Sequence, residues 1–116
     1  MIAVIFEVEP APGRRDAYLS IAAGLRPMLD GIDGFISIER FQSLANPDRV
    51  LSLSFWRDEE AVKAWRNTQE HRAAQSAGRG GIFSGYRLRI ASVVRDYGMD
   101  ERREQVPEDS RAAHGG

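Results

Sequence analysis

The chain has 116 residues, close to the commonest size of a single folded domain. Its 16 lysine and arginine residues nearly balance 17 aspartate and glutamate residues, so the formal net charge is -1 and no broad positive field favours binding to nucleic acid or anionic lipid. Cysteine is absent, which excludes disulfides, thiolate catalysis and cysteine-ligated metal, and is compatible with a reducing cytoplasm.

The first residues, MIAVIFEVE, alternate as a strand does and lack the basic leader and long apolar core of a signal peptide. No stretch is apolar over the length that a bilayer requires. We therefore expect a cytoplasmic protein that binds neither nucleic acid nor a membrane.

The first two predicted elements are a strand and a helix. Residues 2 to 9 alternate with period 2, which predicts a strand with one more apolar face. From Arg14 to Leu29 the apolar positions recur at intervals of three and four, which predicts a helix with a single apolar stripe. The segment DGIDG at 30 to 34 then predicts a turn.

Residues 34 to 44 and 49 to 56 alternate in the same way and are joined by the turn sequence ANPD, so they predict an antiparallel hairpin. In the second of these strands, Leu51, Leu53 and Phe55 occupy one side. Four residues occupy the opposite side: Val50, Ser52, Ser54 and Trp56.

Asp58 followed by two glutamates is typical of a helix N-terminus, and the predicted second helix runs to about Ser76. The segment AGRGG ends it. A last strand is predicted from Tyr86 to about Tyr97. Residues 99 to 116 are polar and charged, which predicts a flexible C-terminal tail.

The order βαββαβ indicates an α+β fold of the ferredoxin-like type, a four-stranded antiparallel sheet with two helices on one face. In the usual strand order 4-1-3-2, the first strand lies beside the last. Two glutamates of the first strand, Glu7 and Glu9, are then predicted to pair with arginines from the set Arg87, Arg89 and Arg95.

The sheet face opposite the helices is predicted to be too apolar to remain in water. Its apolar positions are Ile5, Phe35, Phe41, Val50, Trp56, Ala91 and Val93. Packing against the same face of a second copy would cover these residues. We therefore predict a homodimer in which two sheets face each other as a dimeric α+β barrel.

On one continuous helix, the six steps from Trp65 to His71 place these residues about 120° apart. Trp65 is then predicted to face the sheet, as a core residue or as the wall of a pocket near Ile38 and Arg40. His71 is predicted on the helix flank, open in part to solvent, and Trp56 on the dimer face. The three side chains are thus predicted on three different surfaces.

Arg40 is predicted on the helix-facing side of its strand, where a buried guanidinium requires an anionic or carbonyl partner. His71 has a neutral-range pKa and is a candidate general base or hydrogen-bond donor. No cluster of His, Cys and carboxylates has metal-ligand spacing, so no metal site is predicted.

The combined strings GFISIERFQSL, SFWRDEEAVKAWR, EHRAAQ and RDYG, in this element order, resemble the antibiotic biosynthesis monooxygenase family of dimeric α+β barrel proteins. The resemblance covers residues 1 to 98. It implies a pocket between the helices and the sheet, with Trp65 in its wall. Relatives include cofactor-independent oxygenases of anthrones, haem-degrading monooxygenases and enzymes that degrade aldehyde signals.

The haem-degrading branch resembles the chain at Trp65, but it places a histidine ten residues later and an asparagine on the first strand. Here those positions are Gln75 and, on the first strand, Phe6 or Glu7. The resemblance therefore favours an oxygenase without flavin, metal or other cofactor over haem degradation.

The resulting hypothesis is a cofactor-independent monooxygenase that uses O₂ on a small aromatic or enolisable substrate. Arg40 stabilises the enolate oxygen, and His71 or Tyr86 moves or donates a proton. Four side chains form the substrate-binding surface: Trp65, Phe83, Ile38 and Phe6. The alternative of a different class is a dimeric protein that binds a small ligand without catalysis.

Overall fold

The computed structural model describes residues 1–114, and the side chains of residues 69, 70, 77–79 and 114 lie outside that description. Its four strands are β1 (Ile2–Pro10), β2 (Phe35–Gln42), β3 (Val50–Trp56) and β4 (Phe83–Ser92). They form one antiparallel sheet in the order β2-β3-β1-β4. The predicted ferredoxin-like fold and the strand order 4-1-3-2 are confirmed.

The helices are α1 (Arg15–Leu29), α2 (Glu59–Arg66), α3 (Gln69–Ala77) and α4 (Glu108–His114). Side chains from α1 and α2 pack with Trp56 in one buried cluster, and side chains from α1 pack with Val8 and Val50 in a second. The core therefore lies between these helices and one face of the sheet. No helix in the described part of the chain has the length and apolar character needed to cross a membrane.

The predicted assignment of three residues to the open face of the sheet is wrong. Trp56 is only 2% exposed and packs under α2, Val50 is buried beside Tyr18, and Phe35 lies against Trp56 with ring centroids 5.2 Å apart. A register shift between Phe35 and Ser37 moves Phe35 to the helix side. The alternation in β3 allows either face to be the buried one. In the structure, the helices cover the face that carries Trp56.

The other side of β3 therefore carries Leu51, Leu53 and Phe55, which are half-buried. Their cross-strand neighbours on β1 include Ile5, opposite Leu53. The open face thus has an apolar centre made by a set of residues different from the predicted one.

The predicted continuous second helix is divided in two. Asp58 caps α2 by accepting a hydrogen bond from the Ala61 amide at 2.9 Å, as the sequence indicates. The helix then ends at Arg66, and α3 starts at Gln69. Thr68 lies between them and bonds to both helices, so the break is a defined turn.

Strand β4 starts three residues earlier than predicted and ends at Ser92. Its length follows from its partner, because Phe83 pairs with Pro10 and Ser92 with Ile2 at the two ends of β1. At this seam Arg89 donates to Glu7 at 2.9 Å, one of the predicted pairings. Glu9 instead pairs with Arg49 at the start of β3.

Residues 99–114, part of the predicted flexible tail, contain a 3-10 turn at Arg103–Gln105 and α4. Val106 is 6% exposed. The flexibility of the tail stays a prediction, and residues 115 and 116 lie outside the described residues.

Candidate functional site

A cavity of about 270 Å³ lies between the helices and the sheet. Its wall combines side chains from α1, α2 and α3 with the helix-facing side of all four strands. Every side chain predicted for the site lines it: Phe6, Ile38, Arg40, Trp65, His71, Phe83 and Tyr86. The structure therefore brings the predicted residues together around one space, while their roles stay predictions.

The floor of the cavity consists of two rows of side chains that cross the sheet. In one row Arg40 of β2 lies opposite Ser52, which lies opposite Phe6, and Phe6 lies opposite Leu88. The next row contains Ile38, Ser54, Val4 and Ile90 in the same order. The polar residues of the floor are thus Arg40 of β2 and the two serines of β3, and its other residues are apolar.

The roof contains Trp65 and His71 in contact, with ring centroids 5.1 Å apart and ring planes at 57°. The predicted 120° separation is therefore wrong, because it assumes one continuous helix. Thr68 Oγ1 donates to the Trp65 carbonyl oxygen at 2.9 Å and accepts from the His71 amide at 3.2 Å. This turn redirects the chain and places His71 beside Trp65.

Trp56 also lines the cavity, so the three aromatic residues predicted on three surfaces share one. Trp65 is 9% exposed and belongs to the same buried cluster as Trp56. It is both a core residue and a cavity wall, and the two interpretations drawn from the sequence are compatible.

Phe6, Tyr18, Phe83 and Tyr86 form an aromatic group at another part of the wall. Phe83 lies 5.8 Å from Phe6, 5.6 Å from Tyr18 and 6.3 Å from Tyr86, measured between ring centroids. Tyr86 is 56% exposed and therefore lies at the mouth of the cavity. Edge-to-face contacts of this kind keep the wall rigid and apolar.

Two buried polar atoms of the described residues have no hydrogen-bond partner, and both belong to cavity residues. They are Nε of Arg40 and Nδ1 of His71. Buried polar groups are satisfied in nearly all native structures, so both atoms are candidates for hydrogen bonds to a ligand or to water. The residues that line the cavity thus include one donor nitrogen and one imidazole nitrogen without a partner among the described residues.

The charged lining residues are cationic. Arg40 and Arg66 line the cavity, and no aspartate or glutamate is among the lining side chains that the structure describes. Burial lowers the pKa of His71 below its ordinary value of 6.5, and the positive charges of Arg72 and Arg66 lower it further. His71 is therefore neutral at pH 7 and available to accept a proton.

Ser52 and Ser54 are site residues that the sequence did not reveal. They are 7% and 5% exposed, and both line the cavity. The sequence placed them on the same side of β3 as Trp56. Had Trp56 been taken as a core residue, the alternation would have placed both serines inside.

The described residues contain no group of three or more His, Cys, Asp and Glu side chains suited to a metal ion. At the position where haem-degrading relatives have histidine, the cavity is lined by the amide side chain of Gln75. An amide is not an axial ligand of the usual haem type. The donor set at this position does not fit haem.

The family model described as antibiotic biosynthesis monooxygenase matches residues 1–77. A relative from Pyricularia oryzae, named jasmonate monooxygenase ABM, is 46% identical over 111 residues, which are 96% of this chain and 52% of the relative. The uncharacterized protein YqjZ of Bacillus subtilis is 32% identical over 62 residues, 53% of each chain. The chain spans about half the length of the curated relatives it matches.

Solved structures share the fold. The structure of Rv0793 from Mycobacterium tuberculosis superimposes with a TM-score of 0.75 at 14% identity, covering 84% of this chain and 98% of that one. At this level of identity the likeness establishes the common architecture.

Proposed function

The chain belongs to the antibiotic biosynthesis monooxygenase family, and we propose that it is a cofactor-independent monooxygenase that uses O₂ on a small aromatic or enolisable substrate. The observation that carries this proposal is the apolar cavity with its two unpartnered buried polar atoms, Arg40 Nε and His71 Nδ1. Catalytic cavities of this type combine apolar walls with a few polar groups that orient the substrate.

The relative named jasmonate monooxygenase supports oxygenase activity in this family. Because this chain spans half of that relative, both its activity and its substrate are part of the proposal. Jasmonate contains an enolisable ring ketone, which makes it a reasonable second test substrate beside an anthrone.

The first step is removal of a proton from a CH₂ group beside a carbonyl or aromatic ring. His71 is suited to be the base because its lowered pKa keeps the imidazole unprotonated near neutral pH and its buried Nδ1 has no other partner among the described residues. The negative charge spreads to the substrate oxygen, where the Arg40 guanidinium stabilises it.

The substrate itself supplies the electrons in the second step. The carbanion transfers one electron to O₂, and the two radicals combine into a carbon-bound peroxide. Loss of water then gives the carbonyl product, so CH₂ and O₂ become C=O and H₂O. The reaction balances without an external reductant or a flavin.

The walls would hold the substrate flat and exclude water during these steps. Trp65 contacts the space from the roof, and Phe6 and Phe83 from the aromatic part of the wall. In this proposal Tyr86, at the mouth, donates a proton to the departing hydroxide, which leaves as water, and Ile38 completes the apolar floor.

The functional form proposed is a homodimer. The open sheet face has the half-buried Leu51, Leu53 and Phe55 at its centre and Phe41, which is exposed, on β2. Packing this face on a second copy would remove a continuous apolar surface from water. A cytoplasmic location stays a prediction.

Oxygen uptake with an anthrone tests the proposed activity. The enzyme should consume one O₂ per anthrone, at a rate above uncatalysed autoxidation. The variants Arg40→Ala and Trp65→Phe should lose this activity, whereas Arg87→Ala, a change on the open face of β4, should retain it. Unchanged activity in both cavity variants would reject the assignment.

The same assay also tests the alternative function, ligand binding without catalysis. A protein that binds anthrone or jasmonate in the cavity without consuming O₂ would be a ligand-binding module. Trp65 lies in the wall, so its fluorescence reports binding independently of turnover.

A further inference from the structure

The polar part of the cavity floor is larger than the proposed reaction requires. Arg40 and Ser52 are directly opposite each other on β2 and β3, and Ser54 follows on the same side of β3. Side chains directly opposite in antiparallel strands lie about 5 Å apart at Cβ. Three hydrogen-bond donors are thus gathered in one region of a mainly apolar wall.

The hydroxyl oxygen of Ser54 accepts a hydrogen bond from a neighbouring side chain. Trp56 Nε1 donates to Ser54 Oγ at 2.9 Å in a buried hydrogen bond. Because the indole nitrogen is a donor only, this bond uses a lone pair of the serine oxygen and leaves the hydroxyl proton to donate elsewhere. Ser54 lines the cavity, so that proton is available to a ligand.

Arg40 has no counter-ion in the described part of the chain. It is in none of the ion pairs there, its Nε is buried without an acceptor, and the cavity residues that the structure describes include no carboxylate. A partly buried guanidinium is costly unless it is paired with an anion. A neutral ligand would leave that charge uncompensated, and an anionic ligand would neutralise it.

We propose that Arg40, Ser52 and Ser54 form an oxyanion-binding floor, which binds an anionic oxygen of a ligand more tightly than the neutral form of the same group. The group recognised is a delocalised oxygen anion, either a carboxylate or an ionised enol. This inference rests on the proposed function for the identity of the cavity as the substrate site. It adds Ser52 and Ser54 as binding residues and predicts that ligands with an anionic oxygen bind more tightly than their neutral counterparts.

Calorimetric titration under nitrogen tests the inference without turnover. Two matched pairs of probes separate the two kinds of anion: 2-naphthoate with its methyl ester, and the enolate of dimedone with its methyl enol ether. Hydrogen bonds to charged groups contribute more than those to neutral ones, so the preferred anion should bind at least about tenfold more tightly than its neutral counterpart. If the anion binds more tightly than its neutral counterpart in just one of the two pairs, that pair identifies the kind of anion that the site recognises.

Variants connect the preference to the floor. Ser54→Ala and Ser52→Ala should each weaken anion binding about tenfold and leave the neutral probe unaffected. Arg40→Gln should abolish the preference. Ser37→Ala, a serine on the open face of β2, is the matched control and should bind like the original protein. Ser54→Ala loses the hydrogen bond from Trp56 and could unfold for that reason. Ser52→Ala makes no such change, so it tests the oxyanion-binding floor independently.

Equal affinity for anion and neutral probe in both pairs, or no binding of any probe, would overturn the oxyanion floor. The oxygen-uptake assay is independent of this result. Anion-selective binding without O₂ consumption would reject the proposed oxygenase activity and support the oxyanion-binding floor. O₂ consumption without a preference for anions would support the oxygenase activity and reject the oxyanion-binding floor.

Discussion

His71 lies against Trp65, with ring centroids 5.1 Å apart, because the chain turns at Thr68 between two short helices. The contact gives the candidate base an apolar neighbour and keeps its Nδ1 buried without a protein partner. The same residues on a straight helix would point in directions about 120° apart. The turn is therefore what assembles the roof of the cavity.

The activity should depend on pH through His71. Since its pKa is lowered, mainly by burial and then by Arg72 and Arg66, the neutral base should persist below the ordinary value of 6.5. We expect kcat/KM to fall on acidification with an inflection below pH 6.5 and to be constant around neutrality. The pH profile of anthrone oxidation measures this.

Two variants control the pH profile. His71→Gln should remove the acidic limb together with most of the activity. Arg72→Gln should move the inflection to higher pH, because it removes a repulsive charge near the imidazole. An inflection at or above 6.5 in the original protein would contradict the assignment of His71 as the base.

Loss of the Thr68 hydroxyl should disturb both stability and the site. Thr68→Ala removes the bonds to the Trp65 carbonyl and the His71 amide, at a cost of about 1 kcal/mol in the free energy of unfolding. It should also lower kcat/KM, since the turn positions His71. Urea unfolding and steady-state kinetics measure the two effects.

Thr68→Ser is the matched control, because it keeps the hydroxyl and should behave like the original protein. Equal stability and activity in the alanine variant would show that the turn forms without these bonds.

A charge in the open sheet face should prevent dimer formation. Leu53 lies at the centre of that face, paired with Ile5 on β1. Leu53→Lys should raise the dimer dissociation constant at least tenfold, about 1.4 kcal/mol, because the ammonium would have to lose its water in the interface. Analytical ultracentrifugation should show the original protein at twice the chain mass of 13.0 kDa.

Leu44→Lys introduces the same charge at a fully exposed loop residue and should leave the dimer intact. Sedimentation of the original protein as a single chain at micromolar concentration would refute the homodimer.

Gly34 should tolerate no side chain. Its φ is +92°, and a Cβ at this position would come within 2.7 Å of the Ala61 Cβ, near the start of α2. Gly34→Ala should therefore lower the free energy of unfolding by about 2 kcal/mol or more.

Gly24→Ala should have the opposite effect. Gly24 lies within α1 with open space around it, so alanine should raise the free energy of unfolding by about 0.5–1 kcal/mol. Thermal unfolding of the two variants compares them, and equal effects would contradict the argument.

The sequence was sufficient for the elements whose signal is local. Alternation defined β1, β2 and β3 to within a few residues, and Asp58 marked the start of α2. It also placed Arg40 and Ile38 on the helix side of β2, since their alternation lies beyond the register shift at Phe35. All seven candidate site residues follow from these local patterns together with the family resemblance.

Tertiary structure decided which face of β3 is buried, because both faces carry enough apolar surface to satisfy the alternation. The helices cover Trp56, and with it Ser52 and Ser54, which turns two unremarked serines into the polar floor of a cavity. Likewise, the turn at Thr68 depends on side-chain hydrogen bonds, and the spacing of apolar residues in the sequence gives no indication of them. Sequence alone determined the fold class and seven of the residues around the cavity. Packing determined how they meet and which further residues join them, since a period of 2 or 3.6 fixes relative directions along one element but not which direction is inward.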